Sequence, residues 1–141
     1  MGMKDGAVLV VGGTGDIGSA ICARLADAGH TVVISGIKLE QSESACEALA
    51  APGRSLYPVE LQINDPDACN TVIKTVAKDH GGLSAIVNCA GVSYIAPVLL
   101  GKNEDWERVV RVNTLGAFNI SRAALRPMIR ARFGRIVHVG S

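Results

Sequence analysis

The sequence predicts an α/β protein built on a doubly wound parallel sheet of strand order 3-2-1-4-5. Three observations carry that expectation. Val-rich apolar runs alternate five times with stretches of helical periodicity. The connections between them are short and punctuated by Gly, Pro and Asp. The first run, residues 7–11, is continuously apolar rather than alternating, as a strand covered on both faces must be. Right-handed crossovers leave 3-2-1-4-5 as the simplest topology, with a crevice where strands one and four diverge.

Taken in order, residues 7–11 form the first strand and Gly12-Gly13-Thr14-Gly15-Asp16-Ile17-Gly18 a glycine-dense turn. A helix follows to Ala28, with Ile17, Ile21, Leu25 and Ala28 recurring at helical spacing and Gly29 as its C-cap. Residues 31–35 read as the second strand and 39–50 as a helix broken by Pro52-Gly53. The third strand is expected over 56–63. Asp65 caps the next helix with Pro66 in its first turn, and the helix runs to about His80, before Gly81-Gly82. Residues 83–88 make the fourth strand and 89–102 a loop. A long helix from about Glu104 to Arg132, bent near Pro127, leads through Gly134 to a fifth strand at 135–139.

The bulk properties exclude several classes. A length of 141 residues fits one domain, and 48% hydrophobic with only 4% aromatic residues suits a core of Val, Ile, Leu and Ala. The net charge of +1 argues against a nucleic-acid surface. Seven of the 14 Lys and Arg lie after residue 105, and the helix dipole accounts for them: Glu104, Asp105 and Glu107 open the long helix while Arg126, Arg130 and Arg132 close it. No stretch has the length of a membrane span, and Met1 to Asp5 is too short and polar for a signal peptide. Cys22, Cys46, Cys69 and Cys89 lie far apart without a Cys-x-x-Cys or paired histidines, so no metal site is expected. Reduced, partly buried thiols in a cytoplasmic protein are expected instead. His30 and His80 flank glycines at helix ends and suit capping, and His138, on a strand, suits a structural role.

Strand, glycine turn and helix in that order are the context a dinucleotide-binding fingerprint requires. Glycines let the backbone turn tightly and approach a pyrophosphate, whose charge then rests on free N–H groups at the helix N-terminus. The alternative is a tight strand-to-helix turn that binds no nucleotide, since 16 glycines in the chain produce chance matches.

Four pieces in series give the chain a resemblance to the short-chain dehydrogenase/reductase family in its compact single-domain form. They are the turn at 12–18, Asn88-Cys89-Ala90-Gly91, Asn113 within Val112-Asn113-Thr114-Leu115-Gly116-Ala117-Phe118, and Gly134-Arg135-Ile136-Val137 leading to Ser141. The resemblance implies a Rossmann-like dinucleotide-binding domain over 1–141, the N-terminal portion of the family fold. It implies hydride transfer between a nicotinamide and a small-molecule carbonyl or alcohol. Asn88 would brace the sheet, and Ala90 and Gly91 would lie along the cofactor. Asn113 and Ser141 match catalytic positions: Asn113 holds a helix carbonyl and a proton-relay water, and Ser141 hydrogen-bonds the substrate oxygen. The family's general acid/base, a Tyr-x-x-x-Lys pair, falls beyond Ser141, so the 141 residues alone are expected to be inactive. The family's long helix packs against its copy, which implies a homo-oligomer.

Several positions depart from the family pattern. Asp16 replaces a glycine, placing a carboxylate near the pyrophosphate or capping the helix. Gln62, followed by Ile63, stands where an Asp toward the adenine is usual. Gly36 replaces the ribose-binding acid, leaving a 2′-phosphate unrepelled, with Lys38 to attract it; the usual arginines are replaced by Gly15 and Ile37. NADP is therefore expected over NAD. Two other functions are compatible with the residues: a non-catalytic nucleotide-binding module, and an interaction or assembly protein that uses an exposed fifth strand.

Overall fold

β1 (Ala7–Val11) runs through the middle of the sheet with all five residues buried. In the computed structural model, which describes residues 6–140, it pairs in parallel with β2 (Thr31–Gly36) on one side and β4 (Leu83–Asn88) on the other. β3 (Ser55–Glu60) and β5 (Arg135–His138) complete the order β3-β2-β1-β4-β5, as the sequence predicts.

Successive side chains of a strand point to opposite faces, and the helices divide accordingly. Val8 and Val10 meet Cys22 and Ala26 of α1 (Asp16–Asp27) and the partly buried Ala45 and Cys46 of α2 (Leu39–Ala48). Ala7, Leu9 and Val11 face the other way. There they pack with Cys69, Val72, Ile73 and Val76 of α3 (Pro66–Asp79), whose spacing defines one helical stripe, and with Ile120, Ala123, Ala124 and Met128 of α5 (Ala117–Ala131). Ser42 of α2 is buried but satisfied, donating its hydroxyl to Val59 O at 2.8 Å.

Helix ends follow their local chemistry. Asp65 Oδ1 accepts the N–H groups of Asp67 (2.9 Å) and Ala68 (3.2 Å), with Pro66 in the first turn. Ala28 is the C-cap of α1, and Gly29, at φ +85°, donates to Ala26 O while His30 donates to Leu25 O. That pair of bonds is a Schellman ending, so Gly29 follows the cap rather than forming it. His80 closes α3 through its backbone N–H, and its ring lies 4.5 Å from that of Tyr57.

Other boundaries differ from the sequence expectation. α2 stops at Ala48, and β3 stops at Glu60 because β2 ends at Gly36; Leu61 donates one last bond to Gly36 O before the chain turns toward Asp65. The loop after β4 contains a single 3-10 turn at Val98–Leu100. The long helix is divided: α4 (Asn103–Val110) passes through a π-helical segment (Arg111–Gly116) into α5, and α5 continues through Pro127 to Ala131. A π insertion re-aims side chains, and this one carries Asn113.

Ile86 is fully buried against α3 and α5. Ile86→Ala is expected to lower unfolding free energy by about 2–5 kcal/mol, read from the urea midpoint of the full chain. An unchanged midpoint would mean that this face is loosely packed.

Candidate cofactor crevice

A cavity of about 680 Å³ opens above the C-terminal ends of β1, β2 and β4. Of the residues singled out in the sequence, Gly12, Thr14, Gly15, Gly36, Gln62, Ile63, Ala90 and Gly91 line it. Gly13 and Gly18 lie beneath, shaping the turn. Asp16 and Ile17 face a second, shallower hollow on the outside of α1, and Ile17 is 61% exposed. Ser141 lies outside the described residues.

The turn is built around close backbone approaches. Gly12 has φ +71°, and a Cβ there would stand 2.9 Å from Ala90 N, so the β1 and β4 turns meet as bare backbone. A Cβ on Gly18 would collide with Gly12 O. Gly13 donates to Ser35 O at 3.0 Å, anchoring the turn to β2. The first bond within α1 runs from Ser19 N–H to Gly15 O, so the N–H groups of Asp16, Ile17 and Gly18 have no acceptor inside the helix. Those groups, with the helix dipole behind them, suit an anion. Asp16 does not cap the helix: Gly15 is the N-cap residue, no side chain caps it, and Asp16 is the first helical residue. Its carboxylate therefore stands at the end that also attracts an anion.

Two asparagines organise the wall formed by β4 and the segment after it. Asn88 Oδ1 accepts Ala90 N–H at 3.1 Å, which turns its Nδ2 toward His138 Nδ1 at 3.2 Å. Nδ1 must therefore accept, so the imidazole proton sits on Nε2 and is donated to Ser121 Oγ at 2.9 Å; that hydroxyl donates to Ala117 O at 2.7 Å. The relay ties β4, β5 and α5 together. Asn113 clasps Val92 with both ends of its amide, Nδ2 donating to Val92 O and Oδ1 accepting Val92 N–H, each at 2.9 Å.

At the opposite rim, Gln62 Nε2 donates to Ile37 O at 3.1 Å, leaving Oε1 available to accept. The sequence reading missed the facing wall. Glu104, Glu107, Arg108 and Arg111 line the crevice, and their spacing of three, four and seven residues from Glu104 defines one charged helical face. That periodicity was the signal available. From the sequence alone, Arg108 and Arg111 fall only within the general arginine excess of the C-terminal third.

The thiols beneath the crevice are protected. Burial, with Cys89 and Cys46 nearby, pushes the Cys22 thiol up to about 12, and burial also raises Cys89, which lines the cavity.

Comparison with known proteins agrees with this geometry. The family model described as short chain dehydrogenase matches residues 6–141. The chain is 35% identical over 134 residues to a 3-oxoacyl-[acyl-carrier-protein] reductase of Aquifex aeolicus, covering 94% of this chain and 54% of that protein. It is 33% identical over 142 residues to the Thermotoga maritima protein of the same name, covering 100% and 57%. Among solved structures, an NAD+-bound xylitol dehydrogenase superposes with TM-score 0.92 at 29% identity, over 100% of this chain and 55% of that one. A metagenomic short-chain oxidoreductase in complex with NADP gives 0.89 at 26%, over 99% and 62%. The chain thus belongs to the short-chain dehydrogenase family, and it spans a little over half the length of these two reductases.

Because a thiol reacts as thiolate, alkylation of Cys22 in the folded chain is expected to rise only as pH climbs from the ordinary value of 9.0 toward about 12. The folded pKa is the raised one, so Cys22 stabilises the fold fully below the ordinary thiol range, and that contribution is lost as pH rises through the same window. Iodoacetamide rates per cysteine, read by peptide mass spectrometry, check this; labelling of Cys22 at neutral pH as fast as after unfolding would contradict it.

Proposed function

We propose that the crevice holds a nicotinamide dinucleotide and that the protein transfers hydride between that cofactor and a carbonyl or alcohol carbon. The observation that carries this reading is the glycine turn: backbone packed so closely that a Cβ at Gly12 would meet Ala90 N and one at Gly18 would meet Gly12 O, beside unpaired N–H groups at the start of α1. When bound, the nicotinamide gives or takes the hydride. Gly12 to Gly18 would seat the pyrophosphate, Gln62 Oε1 would accept from the adenine amine, and Ala90 and Gly91 would lie along the cofactor. The dinucleotide-binding domain would comprise residues 1–141.

Asn113 acts by position. Its clasp on Val92 fixes the segment after β4, and the π insertion turns the helix so that the amide can reach it. Ser141 would hydrogen-bond the substrate oxygen, and the general acid/base would be the Tyr-x-x-x-Lys pair that the family carries beyond that serine. The relatives' names support a carbonyl group as the reacting centre. The cofactor is NAD or NADP: β2 itself, with Gly36 in place of an acid and Lys38 nearby, would admit the 2′-phosphate that distinguishes NADP. The four cysteines are free, which supports a reducing, cytoplasmic setting, and no helix among the described residues is long and apolar enough to cross a membrane.

A second copy of the chain is the proposed partner of α4 and α5, where Trp106, Phe118, Leu125 and Ile129 leave apolar surface exposed. Native mass is expected to show a dimer or larger; a monodisperse monomer of the full chain would remove this part of the reading.

Asn113→Ala cuts both bonds to Val92 without touching the glycine turn. In the full chain it is expected to lower kcat by about tenfold or more, while the dissociation constant of the dinucleotide stays within about threefold. Equal losses in turnover and cofactor affinity would show that Asn113 serves binding instead. Gly18→Ala should do the reverse and abolish dinucleotide binding, measured by quenching of protein fluorescence.

A further inference from the structure

The end of β2 has no carboxylate, and the packing around Gly36 is tight. A Cβ on Gly36 would lie 2.9 Å from Thr14 Cγ2, 3.0 Å from Ser42 Oγ and 3.3 Å from Gln41 Cβ. The neighbouring strand supplies the charge instead. Parallel pairing sets Glu60, the last residue of β3, directly opposite Gly36. From there its side chain reaches the first turn of α2, where Oε2 accepts the N–H of Leu39 at 3.2 Å. Among the described residues it makes no ion pair, so its full charge stands at that helix end.

Leu39 lies between Ile37 and Gln41, both of which line the crevice beside Gly36 and Gln62. Leu39 and Glu60 are not themselves among the lining residues, so the carboxylate stands just behind the rim where a dinucleotide turns its adenosine ribose toward the end of β2. The placement is firm. Leu61 N–H is bonded to Gly36 O at 2.9 Å and Gln62 Nε2 to Ile37 O, and Ser42 Oγ of α2 is bonded to Val59 O, so the backbone that carries Glu60 is tied to the end of β2 and to α2.

We propose that Glu60, reaching across from β3, takes the role of the acid missing from β2 and selects NAD(H) over NADP(H). The carboxylate accepts from a ribose 2′-hydroxyl. It also occupies the positive end of α2 and repels the two negative charges of a 2′-phosphate. This reverses the preference that Gly36 and Lys38 suggest, because the acid that the parallel register sets opposite Gly36 is 24 residues further along the chain. The proposal rests on the reading of the crevice as a dinucleotide site.

The test is a pair of fluorescence titrations, NADH and NADPH, on the full chain and on Glu60→Gln. The amide oxygen of glutamine keeps an acceptor for Leu39 N–H while the charge is removed, so the helix end is preserved. The expected result is tighter binding of NADH by the unaltered chain, with Glu60→Gln shifting the NADPH-to-NADH affinity ratio about tenfold toward NADPH. An unaltered chain that prefers NADPH, or a variant that weakens both cofactors in proportion, overturns the proposal while leaving the dinucleotide site intact. Binding of neither cofactor overturns both.

Discussion

The structure depends on the complete burial of β1. Five apolar residues covered on both faces have backbone N–H and C=O groups that water cannot reach, so each needs a partner within the sheet. β2 and β4 supply them from either side, and because both run parallel to β1, each return of the chain requires a crossover helix. The alternating side chains of β1 then set the two layers, α1 and α2 on one face and α3 and α5 on the other. The crevice results from the same constraint, since the chain leaves β1 in one direction and β4 in the other, and their C-terminal turns face each other across Gly12 and Ala90.

The two rims of that crevice carry different chemistry. At one end, unpaired amides of α1 favour negative charge, with the Asp16 carboxylate competing for the same field. Along the wall contributed by α4 and the π segment, Glu104 and Glu107 are followed by Arg108 and Arg111, so its formal charges sum to zero. Position within the crevice, rather than its overall charge, therefore determines what each part of an elongated ligand meets. This fits a ligand with a charged middle and hydrogen-bonding ends better than it fits a compact anion.

What was legible in the sequence was local. The β1 run, the glycine turn and the Asp65-Pro66 start of α3 each depend on neighbours a few residues away, and each appears where its chemistry places it. The sheet order was legible because handedness leaves few alternatives. The contacts that local sequence does not reveal depend on partners distant in sequence. Asn113 bonds to Val92 across 21 residues, through an inserted helical residue that no periodicity marks. Glu60 bonds to Leu39 across the same interval, and only the register of β2 against β3 brings them together. The end of β3 was misplaced because a strand stops where its partner stops, and Gly36 belongs to a different segment. Arg108 and Arg111 were readable in principle, but charge on one face of a helix does not say whether that face meets water or a cavity.

The tight packing of the glycine turn has a further consequence. A Cβ on Gly13 would meet Ile34 Cγ2 at 2.8 Å and Cys22 Sγ at 3.1 Å, so the loop is held between β2 and α1 by the protein's own core. A loop held in this way gives up its conformational freedom when the chain folds, not when a ligand arrives. Ordering the cradle then takes little from the free energy of association, and encounter needs no slow closing motion of this segment. The same rigidity narrows the range of shapes the turn can accept, so discrimination among ligands falls to the side chains at the rim.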